Sequence, residues 1–152
     1  GAPLYIHSSE ADCLMLPDRN LSLFMQRSSS QQPAERLLSD GDILMLTDGY
    51  CLEIIHTPGH TAGCICLLLK SEQNPLALFT GDTLFAGSIG RLDLGGSQAE
   101  MTGSLRRLAE LLPRLKIDDL PIYPGHGPES GLGYELDHNP YFRSISTELA
   151  GY

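Results

Sequence analysis

The chain has 152 residues, of which 41% are hydrophobic and 19% are charged, the balance of an ordinary folded domain and not of a disordered segment. Ten Lys and Arg against nineteen Asp and Glu give a formal net charge of −9. This charge argues against nucleic acid or an anionic membrane as the main partner, since both attract basic surfaces. The sequence shows neither a membrane-spanning apolar run nor the pattern of a signal peptide, so we expect a single domain over residues 1–152 in the cytoplasm.

The N-terminal third is expected to hold a strand, a brief helix and a long loop. The apolar run at residues 3–6 is typical of a short strand, and Ser9 followed three residues later by Asp12 predicts a helix cap. Pro17 would end this helix. Residues 26–35 are polar and without periodicity, which predicts a surface loop.

Further apolar runs predict the strands of a sheet. Residues 43–46 and 50–55 flank Asp48-Gly49, a dipeptide typical of hairpin turns. Residues 64–69 are continuously apolar, as in a strand covered on both faces, and residues 76–79 follow after a turn at 71–75. A short run at 120–123 is the last strand. Cysteines in or beside these runs are expected to be buried and reduced, namely Cys51, Cys64 and Cys66.

The later part of the chain predicts helices. Ser97 and Glu100 have the spacing of a capping box. An apolar stripe follows at helical spacing, at Met101, Leu105, Leu108 and Leu112. Pro113 is expected to end this helix, and a final helix is expected over 141–149. The order of elements predicts an α/β (α+β) fold, a sheet covered by helices on one side.

Three of the predicted strands end in a glycine followed by a metal-ligand type of side chain, which gives His60, Asp82 and His126. If these strands share a sheet, the three side chains emerge at one edge and can converge. Two imidazoles and a carboxylate suit zinc, iron or manganese. The dipeptide alone is weak support, because Gly41-Asp42 repeats it at an ordinary turn. His56 is expected to be a packed side chain, and His7 and His138 to occupy surface or capping positions.

Longer strings around these residues carry a resemblance to a known family. They are TPGHTAG at 57–63, FTGDTLF at 79–85, GRLD at 90–93 and PGHGP at 124–128. In this order they closely resemble the metallo-β-lactamase superfamily, and within it the glyoxalase II-type (hydroxyacylglutathione hydrolase-like) proteins. GYE at 133–135 and HNPYF at 138–142 match the same pattern, so the resemblance covers nearly the whole chain.

The resemblance implies an αββα sandwich with the site at one edge of two stacked sheets. It implies that His60 completes the ligand set of a first metal, that Asp82 bridges two metals and that His126 binds the second. Zinc is the expected metal, with iron or manganese as alternatives. Two ions would bring the pKa of a shared water toward ~7, and the hydroxide would attack a thioester or ester carbonyl. No catalytic residue is expected beyond the ligands; Arg91 either binds a substrate carboxylate or only pairs with Asp93.

The chain departs from the family in one motif and in its length. No two of its five histidines are separated by one residue, so the H-x-H-x-D-H motif of the superfamily is absent. We therefore expect the C-terminal portion of a truncated domain, with N-terminal strands missing and no activity by itself. The segment after His126 is also too short for the helical domain of glyoxalase II enzymes.

Three functional hypotheses follow from these observations. The first is a zinc-dependent thioester or ester hydrolase in the intact parent protein. The second is an oxidoreductase resembling a persulfide dioxygenase with one iron, and the third is an inactive proteolytic core or remnant. Missing strands would uncover apolar sheet surface, so the expected partners, besides a small-molecule substrate, are the chain's own missing N-terminal segment or a second copy.

Overall fold

A computed structural model describes residues 2–72 and 74–149, and at positions 144 and 146–149 it describes only the backbone. The strands are β1 (Tyr5–His7), β2 (Arg36–Leu38), β3 (Ile43–Thr47), β4 (Tyr50–His56), β5 (Ile65–Ser71), β6 (Asn74–Gly81), β7 (Leu84–Phe85), β8 (Ser88–Ile89), β9 (Pro121–Pro124) and β10 (Ser130–Gly131). The helices are α1 (Ala11–Met15), α2 (Gln98–Ala109), α3 (Leu111–Leu115), α4 (Leu132–His138) and α5 (Pro140–Leu149). None of the helices in this part of the chain is long and apolar enough to cross a membrane.

Most strands form a single six-stranded sheet in the order β10-β9-β6-β5-β4-β3. The four strands from β3 to β6 are joined as antiparallel neighbours, and β9 then pairs with β6 in parallel. The predicted hairpin between β3 and β4 is confirmed, with Gly49 at a φ of 77° that favours glycine. The turn between β5 and β6 also has the predicted place, although Gln73 within it lies outside the described residues.

Helices cover one face of this sheet and form the main core with it. The side chains that share this face across four strands are almost fully buried: Ile55, Cys66, Leu68, Leu78 and Ile122. They belong to one cluster with Met101, Leu105 and Leu108 of α2 and with Phe142 of α5. The predicted sheet with helices on one side is therefore confirmed, and the apolar stripe of α2 is what holds the helix there.

The opposite face of the sheet is apolar but only partly covered. Ile54, Leu67, Phe79 and Tyr123 lie in register across four strands and are here called the apolar row. Ile54 is fully buried, whereas Phe79 and Tyr123 are each 40% exposed. Their two rings lie 5.7 Å apart between centroids. The sequence interpretation of residues 64–69 as a strand covered on both faces is therefore wrong, because in β5 only the side chains facing the helices are buried.

Two of the expected helix boundaries are wrong. Ser97 does cap α2, with its hydroxyl accepting a hydrogen bond from the Glu100 amide, but the helix ends before Pro113. The chain restarts as α3, where Pro113 lies in the first turn and needs no amide partner. Near the N-terminus a 3₁₀ turn at Ser8–Glu10 precedes α1, and its cap is His7 instead of Ser9. Strand β2 and helix α4 had no clear pattern in the sequence.

The cysteines differ in part from expectation, whereas His7 agrees with it. All four cysteines lie in the described part of the chain as free thiols. Cys66 is fully buried, which raises the pKa of its thiol to about 11, but Cys51 and Cys64 are partly exposed. His7 occupies the second of its two expected positions, a helix cap, and there it is buried, with only 5% exposed. Burial and the adjacent His56 imidazole lower the pKa of His7.

The central strand β6 allows a direct test of this core. Leu78 is fully buried at its centre, whereas Leu76 on the same strand is 41% exposed. We expect Leu78→Ala to lower the free energy of unfolding by about 3 kcal/mol, because it removes buried methyl groups and leaves a cavity. Leu76→Ala is the matched control and should cost less than about 1 kcal/mol. Urea unfolding followed by circular dichroism measures both, and equal losses in the two variants would contradict the assignment.

The exposed part of the apolar row is expected to drive association of the isolated chain. Large apolar surface in water favours contact with another apolar surface. Replacing Phe79 and Tyr123 together by Thr keeps a side chain suited to a strand but removes the aromatic surface. Sedimentation velocity over a range of concentrations should show association for the unchanged chain and weaker association for the double variant. Tyr134→Gln, at an exposed ring on α4, is the control; a wild-type chain that stays monomeric throughout would refute the expectation.

Candidate metal centre

The three predicted ligands follow strands that end at the same edge of the sheet. Strand β4 runs antiparallel to β5 and β5 antiparallel to β6, so β4, β6 and β9 all point the same way. Gly81 at the end of β6 is in register with Pro124 at the end of β9, and the Gly125 amide donates a hydrogen bond of 2.8 Å to the Gly81 carbonyl. This pairing fixes the backbones that carry Asp82 and His126 side by side.

The three side chains meet through Asp82. Nε2 of His60 lies 3.6 Å from Oδ2 of Asp82, and Nε2 of His126 lies 3.6 Å from Oδ1. Two donors that share a tetrahedral zinc ion at about 2.1 Å from it lie ~3.4 Å apart. The distance of 3.6 Å between Nε2 of each histidine and the Asp82 oxygen that it faces therefore suits two donors that share one ion.

The arrangement is a chain of donors and not a closed cage. Among the described residues, no three His, Cys, Asp or Glu side chains converge on one point as a ready metal site. The two histidines instead face different oxygens of one carboxylate. This geometry fits Asp82 as a bridge between two ion positions better than it fits one ion held by all three residues. From the described residues each position would then have two protein ligands, fewer than the three or four that zinc sites use.

The two histidines are held very differently. Nδ1 of His60 lies 2.7 Å from the carbonyl oxygen of Arg91. Because a carbonyl only accepts, Nδ1 donates, and Nε2 of the neutral ring is left as the lone pair that faces Asp82. The His60 side chain is 21% exposed, whereas that of His126 is 77% exposed, with the ring of Phe85 6.0 Å away. His60 is thus oriented in advance, and His126 lies at the open side.

Two glycines allow this close approach, namely Gly125, which the sequence indicated because it directly precedes a candidate ligand, and Gly90, which the sequence did not single out by itself. A Cβ atom at Gly90 would lie 1.9 Å from the carbonyl oxygen of Asp82 and 2.9 Å from Cβ of His60. A Cβ atom at Gly125 would lie 2.4 Å from Oδ1 of Asp82. Gly90 therefore allows the close approach of the Asp82 backbone, and Gly125 leaves room for the Asp82 carboxylate; neither glycine has a positive φ. Each stands in one of the strings that carried the family resemblance, which was the signal available.

Arg91 does not extend freely into the site. Its guanidinium donates two hydrogen bonds of 2.6 and 2.7 Å to the two carboxylate oxygens of Asp93, and both side chains are exposed. The guanidinium holds the pKa of Asp93 at about 2. The structure thus shows Arg91 paired with Asp93, which was the second of the two roles expected for it. Separately, the backbone carbonyl of Arg91 orients the ring of His60.

A buried polar network lies behind the hairpin next to the candidate site, and the sequence analysis did not assign it a role. The Glu135 carboxylate is fully buried and accepts hydrogen bonds from the Gly87 amide, the Ser130 hydroxyl and the Asn139 side-chain amide, at 2.6 to 2.8 Å. Asn139 also donates to the Ser88 carbonyl. Because a buried carboxylate needs such partners, the network ties helix α4 to the hairpin of β7 and β8, which carries Phe85 beside His126.

A known protein family and known relatives match most of the chain. The model of a family described as the metallo-beta-lactamase superfamily matches residues 8–135. The chain is similar to the probable metallo-hydrolase YqgX of Bacillus subtilis, at 32% identity over 95% of this chain and 65% of that protein. It is also similar to the hydroxyacylglutathione hydrolase GloC of Haemophilus influenzae, at 42% identity over 70% of this chain and 47% of the relative. The chain thus spans about one-half to two-thirds of the relatives it matches.

Solved structures show the same fold. The chain is similar to the B3 metallo-beta-lactamase BLEG-1, with a TM-score of 0.77 and 32% identity over 92% of this chain and 65% of that one. It is similar to TTHA1623 in a di-iron-bound form, with a TM-score of 0.68 and 30% identity over 91% of this chain and 64% of that one. The expected fold class is confirmed by these likenesses.

Gly125→Ala tests whether the contact between the strand ends positions Asp82. The added methyl group would displace the Asp82 carboxylate, so we expect the affinity for zinc or cobalt to fall by about 10-fold or more. Gly103→Ala is the control, because a Cβ atom at Gly103 meets nothing within 4 Å and alanine favours the helix. Competition titration with a metal indicator measures both variants. Unchanged affinity in Gly125→Ala would show that the carboxylate is not held as described.

Proposed function

Because the chain belongs to the metallo-β-lactamase superfamily, we propose that it carries part of the metal centre of a metal-dependent hydrolase acting on thioesters or esters. The observation that carries this proposal is the placement of His60 and His126 at opposite oxygens of Asp82. The relative GloC, named a hydroxyacylglutathione hydrolase, favours a glutathione thioester as the substrate class. The probable metallo-hydrolase YqgX supports hydrolysis in general.

The residues of the chain have distinct tasks in this proposal. Bound metal supplies an acidified water and a polarising charge for the carbonyl oxygen. Asp82 brings the negative charge that two close dications require between them. His60 presents a ring nitrogen already oriented by the Arg91 carbonyl, which lowers the cost of ordering the site. Arg91 would have to release Asp93 before it could bind a substrate carboxylate.

We expect full activity to require more ligands than the described residues place at this edge. Two ions held through Asp82 would each have one histidine and one carboxylate oxygen from this chain. Catalytic zinc sites generally use three protein ligands and keep a further position for water. We therefore assign the hydrolase activity to a form of the protein that supplies additional ligands, and expect the 152 residues alone to be inactive.

Zinc is the metal that we propose, and iron is the alternative that the comparisons favour. The imidazole and carboxylate donors suit both metals, and a similar structure holds two irons. Iron would also permit the second hypothesis, an oxidoreductase resembling a persulfide dioxygenase. Elemental mass spectrometry of the purified protein and an oxygen electrode separate the two hypotheses, since a zinc hydrolase consumes no oxygen.

The ligand role of Asp82 has a matched control within the chain. Asp42 follows a glycine in the same way, but its carboxylate accepts a hydrogen bond from the Ser39 amide in a turn. We expect Asp82→Asn to weaken zinc binding by at least about 100-fold, beyond the usual effect of a residue that only supports a ligand. Asp42→Asn should leave zinc binding within about threefold. Elemental mass spectrometry after dialysis against graded chelator concentrations measures both, and equal zinc retention in the two variants would remove the basis for the proposal.

The reaction itself is tested on a panel of thioesters and esters that includes a hydroxyacylglutathione. The metal-loaded form with additional ligands should release thiol from a thioester, and Asp82→Asn in that form should not. Loss of activity together with retained fold, followed by circular dichroism, would support the assignment. Absence of hydrolysis across the panel in the metal-loaded wild type would reject it.

A further inference from the structure

The loop that delivers His60, residues 57–63, is here called the ligand loop. Its first half is tied to the body of the domain. The Ser104 hydroxyl donates to the Pro58 carbonyl at 2.6 Å, and the Ser97 amide donates to the Gly59 carbonyl at 2.8 Å. Ser97 caps α2 and Ser104 lies in its middle, so the first two turns of the helix and its cap hold the loop up to Gly59.

The second half of the ligand loop is tied to a different part of the chain through one carboxylate. Oε2 of Glu10 accepts hydrogen bonds from the Thr61 hydroxyl at 2.6 Å and from the Gly63 amide at 2.7 Å. A Cβ atom at Gly63 would lie 2.4 Å from that oxygen and 2.5 Å from Cβ of Glu10. The absence of a side chain at Gly63 therefore makes the space in which the Glu10 side chain sits.

Glu10 is itself anchored, so it can act as a fixed point. It ends the 3₁₀ turn that His7 caps, and the buried His7 ring stacks on the ring of His56 at 3.9 Å between centroids. Nε2 of His56 in turn lies 2.9 Å from the Ala62 carbonyl. Strand β1, which ends at His7, pairs in parallel with β2. The N-terminal segment thus holds the ligand loop directly at Thr61 and Gly63 through Glu10, and it contacts, through the stacked His7 ring, the His56 side chain that holds Ala62.

We propose that Glu10 is a positioning residue for His60, which it holds in place by fixing residues 61–63 of the ligand loop. Without the Glu10 carboxylate, the partly buried Gly63 amide loses its acceptor, and the second half of the loop keeps only the weaker set of contacts that Thr61 makes with Cys64 and Ala62 makes with His56. His60 lies between the two halves, so its backbone would be held less firmly, and the Arg91 carbonyl would be left to orient its ring opposite Asp82. This inference rests on the proposed metal centre, but the ordering of the loop can be measured without metal.

The variants separate the hydrogen-bond acceptor from the charge. Both bonds go to one oxygen of Glu10, so the carbonyl oxygen of Gln can replace it, whereas Ala removes it. Asp12→Ala is the matched control, because Asp12 lies two residues away with a side chain 64% exposed. Thr61→Val removes one of the two bonds from the side of the loop and serves if Glu10→Ala fails to fold.

Two measurements on the full 152-residue chain test the proposal. Amide hydrogen exchange without metal should be at least about 10-fold faster at Gly63 in Glu10→Ala, while amides in the centre of β5 stay protected. Cobalt affinity, read from the visible spectrum of the bound ion, should fall by about 10-fold or more in the same variant. Glu10→Gln and Asp12→Ala should lie within about threefold of the wild type in both measurements, and Thr61→Val should be intermediate.

The outcomes distinguish this proposal from the proposed function. Exchange at Gly63 that is unchanged in Glu10→Ala, or in Thr61→Val if the first variant does not fold, overturns the positioning role. Faster exchange with an unchanged cobalt affinity also overturns it, since the loop would then be ordered by Glu10 without consequence for His60. If the wild type binds no cobalt, the metal centre fails in this chain, and the exchange data alone decide whether Glu10 orders the ligand loop.

Discussion

The parallel pairing of β6 with β9 is the constraint on which the site depends. Its register places Gly81 against Pro124, and the hydrogen bond from the Gly125 amide to the Gly81 carbonyl extends it by one residue. A slip of one residue would turn every side chain of β9 to the other face of the sheet. The burial of Ile122 against the helices therefore sets the position of His126, four residues further on. In this strand, the packing of Ile122 and the position of the proposed ligand His126 are therefore fixed by the same register.

Helices cover one face of the sheet, and the opposite face is only partly covered. The candidate site lies at the edge of the sheet where β4, β6 and β9 end. The apolar row runs from the buried Ile54 to the exposed rings of Phe79 and Tyr123. These two rings precede Asp82 and His126 by three residues each, so exposed apolar surface of the sheet adjoins the edge that carries the candidate ligands. Any polypeptide that covers the row would also approach the donors. The edge at which the described residues place few donors is thus also the edge at which the apolar row is exposed.

Polar groups in the interior hold the loops that the sheet does not. Glu135 and Asn139 fix the hairpin beside His126, and Glu10 fixes the loop that carries His60. Each carboxylate accepts a hydrogen bond from a backbone amide, and an amide that is shielded from water needs such a partner. The loops at the edge are therefore determined by specific hydrogen bonds, and they are more sensitive to single polar substitutions than the strands are.

The sequence by itself determined the strands β3, β4, β5, β6 and β9, the start and the apolar stripe of α2, and the choice of three candidate donors. Apolar runs, the cap at Ser97 and the repeated glycine-plus-ligand ending are local features, and local features can be interpreted from neighbouring residues. The same reasoning failed at Pro113 and at the partly exposed Cys51 and Cys64, because tolerance of a proline and burial of a cysteine depend on what packs around them. The ligand role of His60, Asp82 and His126 stays a prediction.

Only the tertiary structure decided how these donors meet and what holds them. The division of the Asp82 oxygens between two histidines, the contact glycines Gly90 and Gly125, and the grip of Glu10 on Gly63 join residues far apart in the chain. A sequence pattern specifies which side chains share a face of one element. It does not specify the distance between two elements, because that distance follows from the packing of the whole core.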